Sequence, residues 1–76
     1  MRRLYRIEFD DVRDLPHSVL LRYCVKRNVG LLIEVNKELA IVYTRDYIAI
    51  YRGREKIDKL EKYIRGTLTV DDLLGV

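Results

Sequence analysis

His17 and Ser18 are neighbours, and a hydroxyl nucleophile needs a base within hydrogen-bond reach, so this pair is the first place where the chain offers chemistry. Adjacent residues at a helix start project their side chains roughly 100° apart, so the pair reads as an exposed first turn rather than a catalytic dyad. Cys24 falls on the apolar side of the same segment, with Val19, Leu20 and Tyr23. No neighbouring charge marks its thiol for activation, which makes it a small core residue. The carboxylates Glu8, Asp10, Asp11 and Asp14 are close in sequence, but they lack a glycine-turned loop with ligands at alternating positions, and Arg13 sits among them. Strand-end and helix-cap duties account for them. Gly30, Gly53, Gly66 and Gly75 are isolated, without the spacing of a phosphate-cradling loop. No catalytic residue, metal or cofactor is assigned, and the reading is non-enzymatic.

What remains is basic and aromatic. Tyr51, Arg52, Arg54 and Lys56 stand at the junction of an apolar run and a helical segment. Arg45 and Tyr47 lie at the other end of that run, and Arg2, Arg3 and Arg6 near the N-terminus. Arginine makes bidentate phosphate contacts and tyrosine stacks on unpaired bases, so Arg45, Tyr51, Arg52, Arg54 and Lys56 form a candidate nucleic-acid surface, RNA or DNA. The competing use of the same types is structural: surface ion pairs for arginine, core or interface packing for tyrosine.

The elements that must position these residues begin with three apolar runs: Leu31–Val35, Leu39–Thr44 and Tyr47–Tyr51. Alternation places Leu31, Ile33, Val35, Leu39, Ile41, Tyr43, Tyr47, Ala49 and Tyr51 in one set and Leu32, Ala40, Val42, Ile48 and Ile50 in the other. Both sets are apolar, so the meander has to be covered twice. Arg3–Phe9 alternates as a further strand ending at Asp10-Asp11. Asp14-Leu15-Pro16 opens a helix that runs to about Arg27 and stops at Asn28 and Gly30. A second helix is expected over Arg54–Arg65, from the Ile57, Leu60 and Ile64 stripe and the acid-to-base pairs Glu55–Lys59, Asp58–Lys62 and Glu61–Arg65, with Gly66 as its stop. Thr69 then caps a short turn over Val70–Leu74.

The expected fold is α+β: one domain over residues 1–76, in the order β-α-β-β-β-α. The sheet is largely antiparallel and four-stranded, with both long helices on one face and a short C-terminal helical turn. Residues 66–76 are a tail that is either mobile or offered to a partner. The other sheet face is to be covered by that turn or by a second copy. Tyr43, Tyr47, Leu73 and Leu74 are the candidate dimer or partner interface, the tyrosines stacking with Tyr51 into one continuous surface.

Composition sets outer bounds. A chain of 76 residues with 49% hydrophobic and 36% charged residues is globular and too short for two cores. Ten Arg against five Lys, with no Gln and one Ser, points to a hot-adapted source. One cysteine permits no internal disulfide and fits a reducing cytoplasm, and no apolar run has the length of a membrane span. The net charge of +3 is mild but uneven, since residues 66–76 carry only Asp71 and Asp72.

The order helix, three strands, helix over residues 14–65 is similar to that of double-stranded RNA-binding domains. With the first strand included it resembles small RelE-type ribonuclease toxins, which act through basic and Tyr residues on the sheet. Arg54-Glu55-Lys56 is not the Lys-rich helix start of the former. Val35-Asn36-Lys37-Glu38-Leu39 lacks the Arg and Gly of the latter, so neither resemblance transfers a residue role. The functional expectation is a small basic nucleic-acid-binding or regulatory protein. The alternative is a homodimeric protein-interaction module working through its sheet face or C-terminal tail, and a small ribonuclease is the outlier.

Overall fold

The computed structural model describes residues 3–75, and Arg2, grouped above with the N-terminal basic residues, lies outside the described residues, as does Val76. Along the chain run β1 (Leu4–Glu8), α1 (Phe9–Val12), α2 (His17–Arg27), β2 (Gly30–Asn36), β3 (Leu39–Tyr43), β4 (Ile48–Arg52), α3 (Arg54–Asp58), a 3-10 turn (Glu61–Tyr63), β5 (Ile64–Leu68) and α4 (Val70–Leu74). The class is α+β. The sheet, however, has five strands in the order β4-β3-β2-β1-β5 rather than four, and it is mixed rather than largely antiparallel. β1 runs parallel to β2 on one side and to β5 on the other, while β3 is antiparallel to both its neighbours.

The expected helix over Arg54–Arg65 is the principal correction. It stops at Asp58, turns through Glu61–Tyr63 and becomes β5, so that Gly66 is a strand residue instead of a helix stop. Side-chain pairs at i, i+4 add only tenths of a kcal/mol each. The open edge of β1 offers Ile64, Gly66, Thr67 and Leu68 backbone partners, and Leu68 and Ile64 pack against the two core clusters. Residues 66–68 of the expected tail therefore belong to the sheet.

Helices pack on both sheet faces within one chain. Ile7, Leu31, Ile33 and Tyr43 pack with Val12, Leu20, Cys24 and Leu73, which places α1, α2 and α4 on one side. Leu4, Leu32, Ala40 and Val42 pack with Ile57 and Leu60 on the other. α2 and α3, at the places of the two long helices expected on one face, thus sit on opposite faces. The handedness of crossovers explains it: β1 to β2 and β4 to β5 are parallel connections that cross the sheet in opposite directions. Two crossovers of the same hand in opposite directions must use opposite faces. The C-terminal turn does not cover the second face, because Leu73 packs with α2 on the first.

Local chemistry sets each boundary. Pro16, extended at φ −62° and ψ 145°, precedes the first turn of α2, so Asp14 is not its cap; Asn28 ends the helix at φ 55°. Asn36 Oδ1 accepts from the Glu38 amide at 2.8 Å and fixes the β2–β3 turn. Thr44 Oγ1 accepts from the amides of Asp46 (3.2 Å) and Tyr47 (3.1 Å) and fixes a four-residue β3–β4 turn. Gly30 is a close-approach position. A Cβ there would lie 3.0 Å from Leu4 Cδ1 and 3.3 Å from the Tyr43 carbonyl oxygen.

Candidate functional site

The four-residue turn decides which residues share a face. Tyr43 opposes Ile48, Ile41 opposes Ile50, Val42 opposes Ala49 and Ala40 opposes Tyr51. Opposed residues lie on one face, so β4 inverts the odd–even assignment that holds between β2 and β3. Ile48 and Ile50 stand on the α2 face and Ala49 and Tyr51 on the α3 face. The continuous surface expected of Tyr43, Tyr47 and Tyr51 does not exist within a chain. Tyr43 is 2% exposed and belongs to the core, and Tyr51 packs on the opposite cluster beside Ala40 and Ile57.

The basic candidates are also divided. Arg45 precedes β4, whereas Arg52 ends it and Arg54 and Lys56 follow in α3, so the two groups are separated by the length of a five-residue strand, about 17 Å. Arg54 is held in an ion-pair clasp. Its Nε donates to Asp58 Oδ1 at 2.8 Å and its Nη1 to Glu34 Oε2 at 3.3 Å, and Arg6 reaches Glu34 at 3.0 Å and Glu61 at 2.7 Å. Hydrogen bonds to Asp58 and then to Glu34 raise the Arg54 pKa and keep it cationic. The clasp ties β1 and β2 to α3 and the 3-10 turn, which is a structural use of the residue. Arg52 and Lys56 remain exposed, with no ion-pair partner among the described residues.

At the opposite end of the sheet, Arg3, Asn28, Val29, Gly30, Thr44, Arg45, Asp46 and Tyr47 line a cleft of about 340 Å³. Arg45 Nη1 lies 3.4 Å from Asn28 Oδ1 and its Nε 3.8 Å from an Asp46 carboxylate oxygen. Two arginines, an amide and the half-exposed Tyr47 ring can together hold a small anion or a base.

Beside the cleft, β4 forms one rim of the sheet. Ile48 is 45% exposed and Ile50 59%, so the strand carries these two apolar residues outward on a part of the face that α2 leaves uncovered, and Tyr47, just before the strand and 48% exposed, stands on the opposite face. The other rim is different. β5 pairs irregularly with β1 where Arg65 is inserted, and bulges and charges of this kind discourage edge-to-edge pairing. β4 has neither a bulge nor a proline.

His17 Nδ1 is hydrogen-bonded to the Tyr43 hydroxyl, and the rings stack with centroids 5.7 Å apart. Burial, with Cys24 as a lesser cause, raises the Tyr43 hydroxyl pKa, and burial pushes the Cys24 thiol up to about 11. The Cys24 Sγ lies 3.5 Å from the Tyr43 carbonyl oxygen. Together these residues anchor α2 on β3. Of the acidic residues near the N-terminus, Glu8 precedes α1, Asp10 and Asp11 form its first turn, and Asp10 and Asp14 lie 3.8 and 3.9 Å from Arg13. Among the described residues no three His, Cys, Asp or Glu side chains converge as a metal site, and no helix is long and apolar enough to cross a membrane.

Leu73 and Leu74, paired in the sequence reading, separate: Leu73 is buried under α2, and Leu74 is exposed on α4. Residue alternation alone missed Ile48 and Ile50 as surface residues and Arg3 and Asn28 as cleft residues. The signal for the first two was present in the four-residue spacing Thr44–Tyr47, which inverts the faces. Comparison with known proteins found no family model, no curated protein and no solved structure that matches this chain.

Proposed function

We propose that this chain is a protein-interaction module whose docking surface is the open edge of β4. The observation that carries the reading is the exposed apolar pair Ile48 and Ile50 on one face of an edge strand without bulge or proline, with exposed Tyr47 just before it on the other face. An edge strand supplies backbone hydrogen bonds for affinity, and its alternate side chains supply selectivity. Ile50→Lys puts a charge into this pair and leaves the core untouched. In sedimentation and in capture of partners from cell extract, the variant should keep the wild-type circular dichroism and lose association, whereas Leu74→Lys should lose neither. Association that is indifferent to Ile50→Lys removes the reading.

A second reading rests on the cleft. Arg3, Arg45 and Tyr47 suit a phosphate and a stacked base, so nucleic-acid binding moves from the Arg52–Arg54 junction to this end of the sheet. Its test is binding of fluorescent single-stranded RNA, duplex RNA and duplex DNA across a salt series. The double variant Arg3→Ala/Arg45→Ala should weaken binding and flatten the salt dependence. Unchanged affinity in that variant removes this reading.

A further inference from the structure

Resting on the docking reading of β4, we infer that the occupant of this edge is a second copy of the same chain, whose β4 pairs antiparallel across a two-fold axis at Ala49.

The ladder fixes which backbone groups are free. The Thr44 amide donates to the Tyr47 carbonyl at 2.9 Å and the Gly53 amide to the Glu38 carbonyl at 2.9 Å. Bonded pairs recur at every second residue of an antiparallel ladder, so Tyr47, Ala49, Tyr51 and Gly53 turn their amides and carbonyls toward β3. Ile48, Ile50 and Arg52 turn theirs to the open edge. A self-pairing must therefore bond residues of this second set to one another.

Several registers meet that condition, and side-chain chemistry separates them. With the axis at Ala49, Ile48 opposes the partner's Ile50 on the α2 face, and Asp46, in the turn that leads into β4, comes level with the partner's Arg52, each pair occurring twice by symmetry. On the α3 face Tyr47 opposes the partner's Tyr51, also twice, and the two Ala49 side chains, the smallest of the strand, meet at the axis. Every opposition is thus apolar with apolar, aromatic with aromatic or acid with base, the combinations that stabilise cross-strand neighbours. Moving the axis to Ile50 sets Ile48 against the partner's Arg52 and Asp46 against the partner's Arg54, a residue already engaged by Glu34 and Asp58. Moving it to Ile48 sets Asp46 against the partner's Ile50. Charge complementarity thus selects one register. It also gives Arg52, which has no ion-pair partner among the described residues, a carboxylate: Asp46 is exposed, and its contact with Arg45 within the chain is long, at 3.8 Å, so it can serve both arginines.

The result is a continuous ten-stranded sheet whose remaining edges are the two bulged β5 strands. The tyrosines of the interface are Tyr47 and Tyr51, not the buried Tyr43.

The mass of the full chain in solution, measured across a concentration series, should rise from 9.1 kDa toward twice that value. A monomer at every concentration overturns the inference. The register is tested separately with Ala49→Cys. Non-bonded antiparallel pairs bring Cα atoms to about 4.5 Å, within disulfide reach, so mild oxidation should yield a covalent dimer. Ile50→Cys, which opposes an isoleucine, should not cross-link. The native Cys24 is fully buried and stays out of the reaction. Arg52→Asp alone and Asp46→Arg alone should each weaken the dimer about tenfold or more, and the double exchange should restore it. A dimer that ignores these charges, or that cross-links through Ile50→Cys instead, overturns the pairing proposed. A monomeric chain that still loses a captured partner on Ile50→Lys overturns self-pairing while leaving the docking reading intact, whereas one whose associations ignore Ile50 overturns both.

Discussion

Gly66→Ala separates the observed fold from the helix expected at the same residues by the sign of a stability change. As a helix stop, Gly66 would sit in the left-handed region, and alanine there would cost about 1 kcal/mol. In β5 it is extended, and it is not among the positive-φ residues. An added Cβ meets only Tyr5 Cδ1 and Cε1, both at 3.8 Å, which is ordinary contact. Alanine then removes unfolded-state entropy without strain and stabilises by about 0.4–1 kcal/mol. A domain of this length has an unfolding entropy of about 0.16 kcal/mol/K, from about 2.1 cal/mol/K per residue, so the midpoint should rise by about 2 to 6 °C. Gly53→Ala is the matched control. Its φ of 90° admits no ordinary side chain even though the space around it is open, so alanine should cost on the order of 1–3 kcal/mol. Thermal unfolding followed by circular dichroism, with wild type and both variants in one buffer, reads the two signs directly. A fall in midpoint for Gly66→Ala comparable to that of Gly53→Ala would refute the placement of β5.

Three further outcomes follow from the packing. Ile57→Ala opens the cluster by which α3 covers the second face and should cost about 2–5 kcal/mol in urea unfolding, against about 0.5–1.5 for Ile57→Val; equal, small losses would mean that α3 does not seal that face. Thr69→Ala removes the reciprocal cap with Asp72 and should cost about 1 kcal/mol, with amide exchange rising across Val70–Leu74 and not in the sheet. Cys24 binds its proton more tightly in the folded chain than in the unfolded one, so stability should fall as pH rises from about 9 to about 11, by on the order of 2–3 kcal/mol, and Cys24→Ala should flatten that limb of the curve.

The legible part of the fold was the part governed by local pattern. Leu31–Tyr43 alternate cleanly, Asn28 and Pro16 punctuate α2, and the demand for two covered faces followed from apolar residues at both parities. Two decisions lay beyond pattern. Residues 59–65 satisfy a helix by charge spacing, while Ile64, Thr67 and Leu68 suit a strand, and the open edge of β1, more than fifty residues earlier, decides between them. The side of the sheet on which α3 lies depends on the direction of its crossover, which is unknown until β5 is recognised. The candidate site suffered from the same gap. The arginines near β4 were grouped by sequence proximity, yet Arg54 serves the clasp with Glu34 and Asp58, and Arg45 shares its cleft with Arg3 and Asn28.

The interior position of β1, between β2 and β5, also governs the order in which the chain can fold. β2, β3 and β4 are joined by short turns and close through contacts near in sequence, whereas β5 must return across the sheet to reach β1, with Leu4 paired to Ile64. Contacts so distant in sequence carry the larger loop-closure entropy, so the three-stranded meander is the expected nucleus and docking of β5 the late step. Val42→Ala should slow folding, and Leu68→Ala should chiefly speed unfolding. Until residues 64–68 arrive, β1 is a second open rim carrying Tyr5 and Ile7. A chain that lacks residues 64–68 is therefore stickier than the whole one, and the last strand acts as the seal that replaces the open rim of β1 with a bulged one and leaves β4 as the regular edge.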